Sequence, residues 1–233
     1  MEITAQQVQV KLAELAKVTP KSKAVFYKTG KGDYAEHDRF IGVSVPDLRK
    51  IAKKAPNMNF SDLQILLNSK FNEERLIALL ILTNQYLKIK DRQLEIYQFY
   101  MANLSQVNNW NLVDASAHLI IGAHLHNQQK DVLFALARSA IMWKRRIAIV
   151  ATWYFIKNSQ YETTLEIAET LLGDDQDLIH KASGWMLREV GKKDVNTLEK
   201  FLEKFSTRMP RTMLRYAIEK FPEADRKLYL QFR

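Results

Sequence analysis

Residues 75–82 read RLIALLIL, residues 146–153 RIAIVATW, residues 181–188 KASGWMLR and residues 215–221 RYAIEKF. Each is an apolar run opened by a cation and kept at helical spacing, without the alternation that marks a strand. The openings Arg75, Arg146, Lys181 and Arg215 stand 71, 35 and 34 residues apart, and the segment from Trp110 to His118 fills the missing unit of the double step. A period near 35 residues belongs to stacked helix pairs, each of which can bury its apolar stripe only against its neighbours.

Working outward, nearly the whole chain repeats this pattern. Helices are expected from Thr4, Pro20, Pro46, Ser61, Asn72, Asp91, Asn111, Asp131, Met142, Tyr161, Gln176, Asp194 and Pro210, with a last turn or two after Pro222. Ser61 and Asn72 suit N-caps, Pro20 and Pro46 suit first helical turns, and Gly173 and Gly191 suit helix ends. The segment Thr29 to Ile41 is the longest expected loop; its GKG lacks the spacing of a phosphate-binding loop. The fold class is all-α: an α-solenoid of HEAT-like helical repeats, a single domain over residues 1–233, curved with a basic concave face. The recurring cations either line that face or occupy solvated helix flanks, and the period serves both readings.

Composition bounds the function. With 47% hydrophobic and 26% charged residues among 233, the chain has a globular composition, and at this length it can bury roughly 70–75% of its unfolded surface. Only 7 glycines and 5 prolines are few for a sheet-rich fold. Cysteine is absent, which excludes thiol nucleophiles, CxxC redox chemistry and zinc ribbons. The first residues lack a secretory pattern and no apolar run reaches the ~20 residues of a membrane span, so a cytoplasmic protein without a membrane partner is expected. The formal net charge is +9 and the isoelectric point about 9.5; this surplus suits a polyanionic partner such as nucleic acid, through counterion release.

Three segments could carry chemistry. In NNWNLVDAS, Trp110 and Asp114 lie one turn apart on one helix face, and a carboxylate in an apolar helix is costly unless paired or used. In KASGWMLRE, Trp185 and Arg188 share a face, with Lys181 a turn earlier and Gly184 leaving space beside the indole. In MWKRRIAIV, Lys144, Arg145 and Arg146 open a helix, so at least one should point toward whatever the stacked helices bind. Each has an ordinary explanation: a core tryptophan, an internal salt bridge, a solvated corner. Together they suggest a carboxylate flanked by aromatic faces and cations, able to support a developing oxocarbenium ion. His118, His124 and His126 do not complete a metal-ligand spacing, and no Gly-x-Ser-x-Gly elbow is present.

The segments KTGKGDY, FIGVSVPDLRK, NNWNLVD, WKRRIA, KASGWMLREVGKK and MPRTMLRYAIEKFP, in this order from about Tyr27 to the C-terminus, resemble those of the bacterial AlkD-like DNA alkylation repair glycosylases. The resemblance implies an alkylpurine DNA glycosylase that removes N3- and N7-alkylated purines from duplex DNA; no metal or organic cofactor is needed, no lysine is placed as a Schiff-base nucleophile, and a monofunctional enzyme acting as a monomer is expected. It implies that Trp110 and Trp185 contact the deoxyribose, that Asp114 is the catalytic carboxylate and that Arg146 stands near it. Tyr27, Ser44, Arg49, Lys144, Arg145, Lys181 and Arg188 are then expected to approach DNA; Ser44 replaces a larger polar side chain of the best-known pattern. The alternative is a non-catalytic helical-repeat protein that binds damaged or branched DNA, and a protein-binding scaffold is a third, more distant reading.

Overall fold

The computed structural model describes residues 3–16 and 26–231. The fold is an all-α helical repeat; among the described residues no strand forms, and Arg39 makes one parallel bridge to Phe71. The chain divides into two compact units, Met1–Ile120 and Ile121–Arg233.

In the first unit the organising element is the helix Asn72–Lys88, whose residues Leu76 to Leu82 are all buried. A helix apolar all round must be covered all round. Here the helices Val45–Lys54, Phe60–Leu67, Gln93–Ala102 and Trp110–Ala117 supply the cover. The N-terminal helix Ala5–Leu15 packs on Phe60–Leu67 and begins with a capping box, in which the Thr4 hydroxyl accepts from Gln7 N and the Gln7 amide oxygen accepts from Thr4 N. The expected helix from Pro20 to Lys28 lies outside the described residues except for its end.

In the second unit the equivalent centre is Asp177–Lys193, packed on Met142–Ala151, Val195–Phe205 and Arg211–Ala217. Gly184 is what lets two of these helices close. A Cβ there would lie 2.4 Å from Met213 O and 2.5 Å from Tyr216 Cβ. The glycine therefore serves backbone approach, and the expectation that it leaves room beside the Trp185 indole is corrected.

The repeat itself is real, but its phase differs by one residue from the sequence alignment. Ser69 Oγ accepts from Phe71 N at 3.0 Å and Arg75 Nη1 donates to Ser69 O at 2.8 Å. Seventy residues later Ser139 Oγ accepts from Ile141 N at 3.2 Å and Arg145 Nη1 donates to Ser139 O at 2.9 Å. A further 35 residues on, Asp174 Oδ1 accepts from Gln176 N at 2.9 Å and the His180 ring bonds Asp174 O. The equivalent positions are thus Arg75, Arg145 and His180, not Arg75, Arg146 and Lys181. Each closes the turn before its own helix, and Arg75 is only 2% exposed. At positions 75 and 145 the recurring cation therefore serves as an internal tie that closes the turn before its helix.

Several helix ends differ for local reasons. Asn59, not Ser61, caps Phe60–Leu67, its side chain accepting from Asp62 N at 2.9 Å. Asn72 is the first residue of its helix and its amide is drawn into a buried network instead of a cap. Gly191 lies inside a helix that runs on to Lys193. The single helix expected from Met142 to Asn158 is interrupted at Thr152, whose hydroxyl donates to Ile149 O at 2.7 Å. The helix expected from Asn111 begins at Trp110 and widens into a π turn over His118–Gly122. A Cβ at Gly122 would stand 2.2 Å from Ala151 O.

Candidate nucleic-acid interface

Trp110 and Asp114 both lie on Trp110–Ala117, one turn apart, and both are half-buried. Asn109 caps this helix through its side-chain oxygen, 2.7 Å from Trp110 N. The Asn109 amide nitrogen is in turn held by Asp38, at 2.6 Å. Asp38 also accepts from Asn72 Nδ2 at 2.8 Å and from Arg75, and Asn111 Nδ2 donates to Asn72 Oδ1 at 2.7 Å. All five side chains are buried. A charge removed from water needs this many partners to be tolerated.

A second buried carboxylate anchors the same loop. Glu73 accepts from Ile41 N at 3.0 Å and Gly42 N at 2.9 Å. The loop from Thr29 to Ile41 is therefore fixed from beneath by Asp38 and Glu73, and it delivers Phe40 to the side of Tyr27.

Tyr27 stacks on Trp110 with ring centroids 5.1 Å apart and planes 16° off parallel, and on Phe40 at 4.6 Å and 22°. Phe26 meets Tyr27 at 5.2 Å and Trp110 at 5.7 Å, edge to face in both cases. Stacked and edge-to-face pairs are the favoured aromatic arrangements. Burial first, then the charges of Glu73 and Asp38, push the Tyr27 phenol up to about 12. The hydroxyl stays protonated well into alkali.

The second unit holds Trp185, Lys181 and Arg188 on Asp177–Lys193 and Lys144, Arg145 and Arg146 at the start of Met142–Ala151. Trp185 meets Trp153 edge to face at 5.0 Å, and Lys157 Nζ sits 3.9 Å from the Trp153 ring centroid. Burial pulls the Lys157 ammonium below the ordinary lysine range, with Glu189 opposing it. Arg146 is buried and donates to Leu178 O at 2.5 Å. Arg145 pairs with Asp174 as well as the Ser139 and Ala140 carbonyls. Arg188 pairs with Glu219 and lies 3.5 Å from Glu189, and Lys181 bonds Asp177 at 2.7 Å.

Ser44 caps Val45–Lys54, accepting from Asp47 N at 3.3 Å and donating to Asp47 Oδ2 at 2.7 Å; Arg49 on that helix is exposed. Of the predicted set, then, the structure brings Tyr27 to Trp110 and places Asp114 one turn along the same helix. Phe26, Phe40, Asp38 and Trp153 were missed. The Asn before Trp110 is a readable cap signal, whereas nothing in the sequence around residue 38 announces a partner 71 positions away. Among the described residues no group of three or more histidines, aspartates and glutamates could hold a metal ion. No helix there is long and apolar enough to cross a membrane.

A helical-repeat fold with an aromatic and carboxylate site defines a class that comparison narrows. The sequence model of the DNA alkylation repair enzyme family matches residues 8–221, and the chain belongs to that family. In structure it is similar to a chain described as "Predicted DNA alkylation repair enzyme from Enterococcus faecalis", with a TM-score of 0.67 and 14% identity over 89% of this chain and 99% of that one. That likeness speaks for the fold. No curated protein matches the sequence. The family supplies the coarse function, DNA alkylation repair, and with it DNA as the substrate.

Proposed function

We propose that the protein is a monofunctional DNA glycosylase that hydrolyses the N-glycosidic bond of N3- and N7-alkylated purines in duplex DNA. The observation that carries the reading is the Trp110 ring, stacked on Tyr27 at the start of a helix that Asn109 caps, one helical turn from the Asp114 carboxylate. An alkylated purine is cationic. When its C1′–N bond breaks, the electron pair neutralises the base, so no strong general acid is needed. The sugar is left as an oxocarbenium ion, which Asp114 stabilises electrostatically while it takes a proton from the attacking water. The products are a free alkylpurine and an abasic site.

Trp110 holds the deoxyribose by its ring face. Trp185 and Arg146, in the second unit, join the catalytic set on the family resemblance, Arg146 as an aid to the carboxylate. Tyr27, Ser44, Arg49, Lys144, Arg145, Lys181 and Arg188 are proposed as DNA contacts. The protein acts as a monomer, in the cytoplasm and without a cofactor.

The test is release of free base from duplex DNA carrying N7-methylguanine. Wild type releases it, and Asp114→Asn loses roughly 100-fold or more, the scale of removing a preorganised electrostatic group. Equal rates would remove Asp114 from the mechanism. No release by wild type, with tight DNA binding retained, would replace the glycosylase by a non-catalytic binder of damaged DNA.

A further inference from the structure

Phe26 is 66% exposed, the highest value among the large apolar side chains left in water in the described residues. It is also anything but loose. Its ring is braced edge to face against two others, Tyr27 at 5.2 Å and Trp110 at 5.7 Å, and these are themselves stacked on each other and on Phe40. The chain turns immediately afterwards: Lys28 takes the left-handed conformation, φ 52°, and its carbonyl accepts from Ala35 N at 3.3 Å. A lysine in that conformation is disfavoured, and such backbone persists only where the surroundings over-determine it. The corner formed by residues 26–28 is thus built rigidly, with an apolar ring on its outside and exposed Lys28 beside it.

An exposed aromatic surface held rigid has already lost the rotamer freedom that a flexible side chain would lose on binding. The occupant must offer an apolar surface beside Trp110 and tolerate a neighbouring ammonium. A deoxyribose has an apolar C–H face and is flanked by phosphates, which fits both demands. In an intact duplex that face is packed along the backbone; it becomes reachable where the stack is disturbed.

Resting on the glycosylase reading, we propose that Phe26 is a lesion-discriminating residue, packing its exposed ring against the deoxyribose of the modified nucleotide beside Trp110. Phe26 contributes affinity only where that sugar is presented, while general phosphate binding is left to the cations.

The probe is a duplex carrying one tetrahydrofuran abasic-site analogue, which presents the sugar and cannot be turned over, against the same duplex unmodified. Binding of the full chain and of its Phe26→Ala and Phe26→Trp variants is measured by fluorescence anisotropy. The preference of wild type for the analogue duplex falls at least about fivefold in Phe26→Ala, on the scale of an aromatic contact to a nucleotide, with affinity for the unmodified duplex unchanged; Phe26→Trp keeps the preference. The inference is overturned if Phe26→Ala keeps the full preference, or if it weakens both duplexes alike. If wild type itself shows no preference, the glycosylase reading fails first and takes the inference with it.

Discussion

Asp38 Oδ2 accepts a 2.6 Å hydrogen bond from the amide of Asn109, across 71 residues of chain. Asn109 in turn caps the helix that carries Trp110 and Asp114. The same aspartate pairs with Arg75, whose side chain closes the turn at Ser69. One buried carboxylate thereby ties the glycine-containing loop, the central helix of the first unit and the candidate site together.

Removing that carboxylate leaves the Arg75 guanidinium buried and without its counter-charge. Breaking a buried pair from one side costs about 3–5 kcal/mol. Asp38→Ala is expected to lose that much in urea unfolding, and Asn109→Ala about 0.5–2 kcal/mol as a lost N-cap. An Asp38→Ala midpoint equal to wild type would show that Arg75 finds another partner.

The raised Tyr27 pKa has a definite sign. Its phenol stays neutral to a higher pH folded than unfolded, so the unfolded state loses its proton first. The stabilisation is complete below the unfolded value near 10 and drains away as pH rises through about 12. The chemical denaturation midpoint should fall more steeply between pH 10 and pH 12 in wild type than in Tyr27→Phe. Parallel curves would mean Tyr27 titrates as an ordinary tyrosine.

Gly184→Ala would set a Cβ 2.4 Å from the Met213 carbonyl oxygen, and Gly122→Ala one 2.2 Å from that of Ala151. Backbone cannot swing aside as a side-chain tip can, so each change is expected to destabilise by about 1–3 kcal/mol. Gly173→Ala, with nothing within 4 Å of its added Cβ, is the control and should be neutral or slightly stabilising. Thermal midpoints of the three variants check this.

Basic residues proposed to touch DNA separate by what else they do. Exposed Arg49 should, on mutation to alanine, weaken DNA binding and reduce the salt slope by about one counterion, with stability unchanged. Arg145→Ala leaves Asp174 and the Ser139 and Ala140 carbonyls without their donor, so unfolding should show the larger effect. Titrations of duplex DNA at several salt concentrations, paired with urea melts, measure both. A flat salt response in wild type would remove phosphate contacts from the account.

The all-helical class, the loop from Thr29 to Ile41, the period near 35 residues and the shared face of Trp110 and Asp114 could all be read from the chain. They depend on spacing along a regular helix, which sequence encodes directly. The exact phase could not. Arg145 and Arg146 are adjacent cations with the same propensity, and which one closes the repeat is settled by the reach of each side chain to Ser139 O or Leu178 O. For the same reason the sequence could not show that two of the three KRR cations, Arg145 and Arg146, also have internal partners.

Sequence by itself determined that this chain folds as helices stacked at a fixed period, because the 3.6-residue geometry of a helix turns spacing into facing. Tertiary structure alone decided that Asp38 holds Asn109, that Tyr27 and Phe26 gather on Trp110, and that Gly184 serves Met213. Those are pairings between residues distant along the chain, and what selects them is the need of each buried charge for partners and of each helix pair for room.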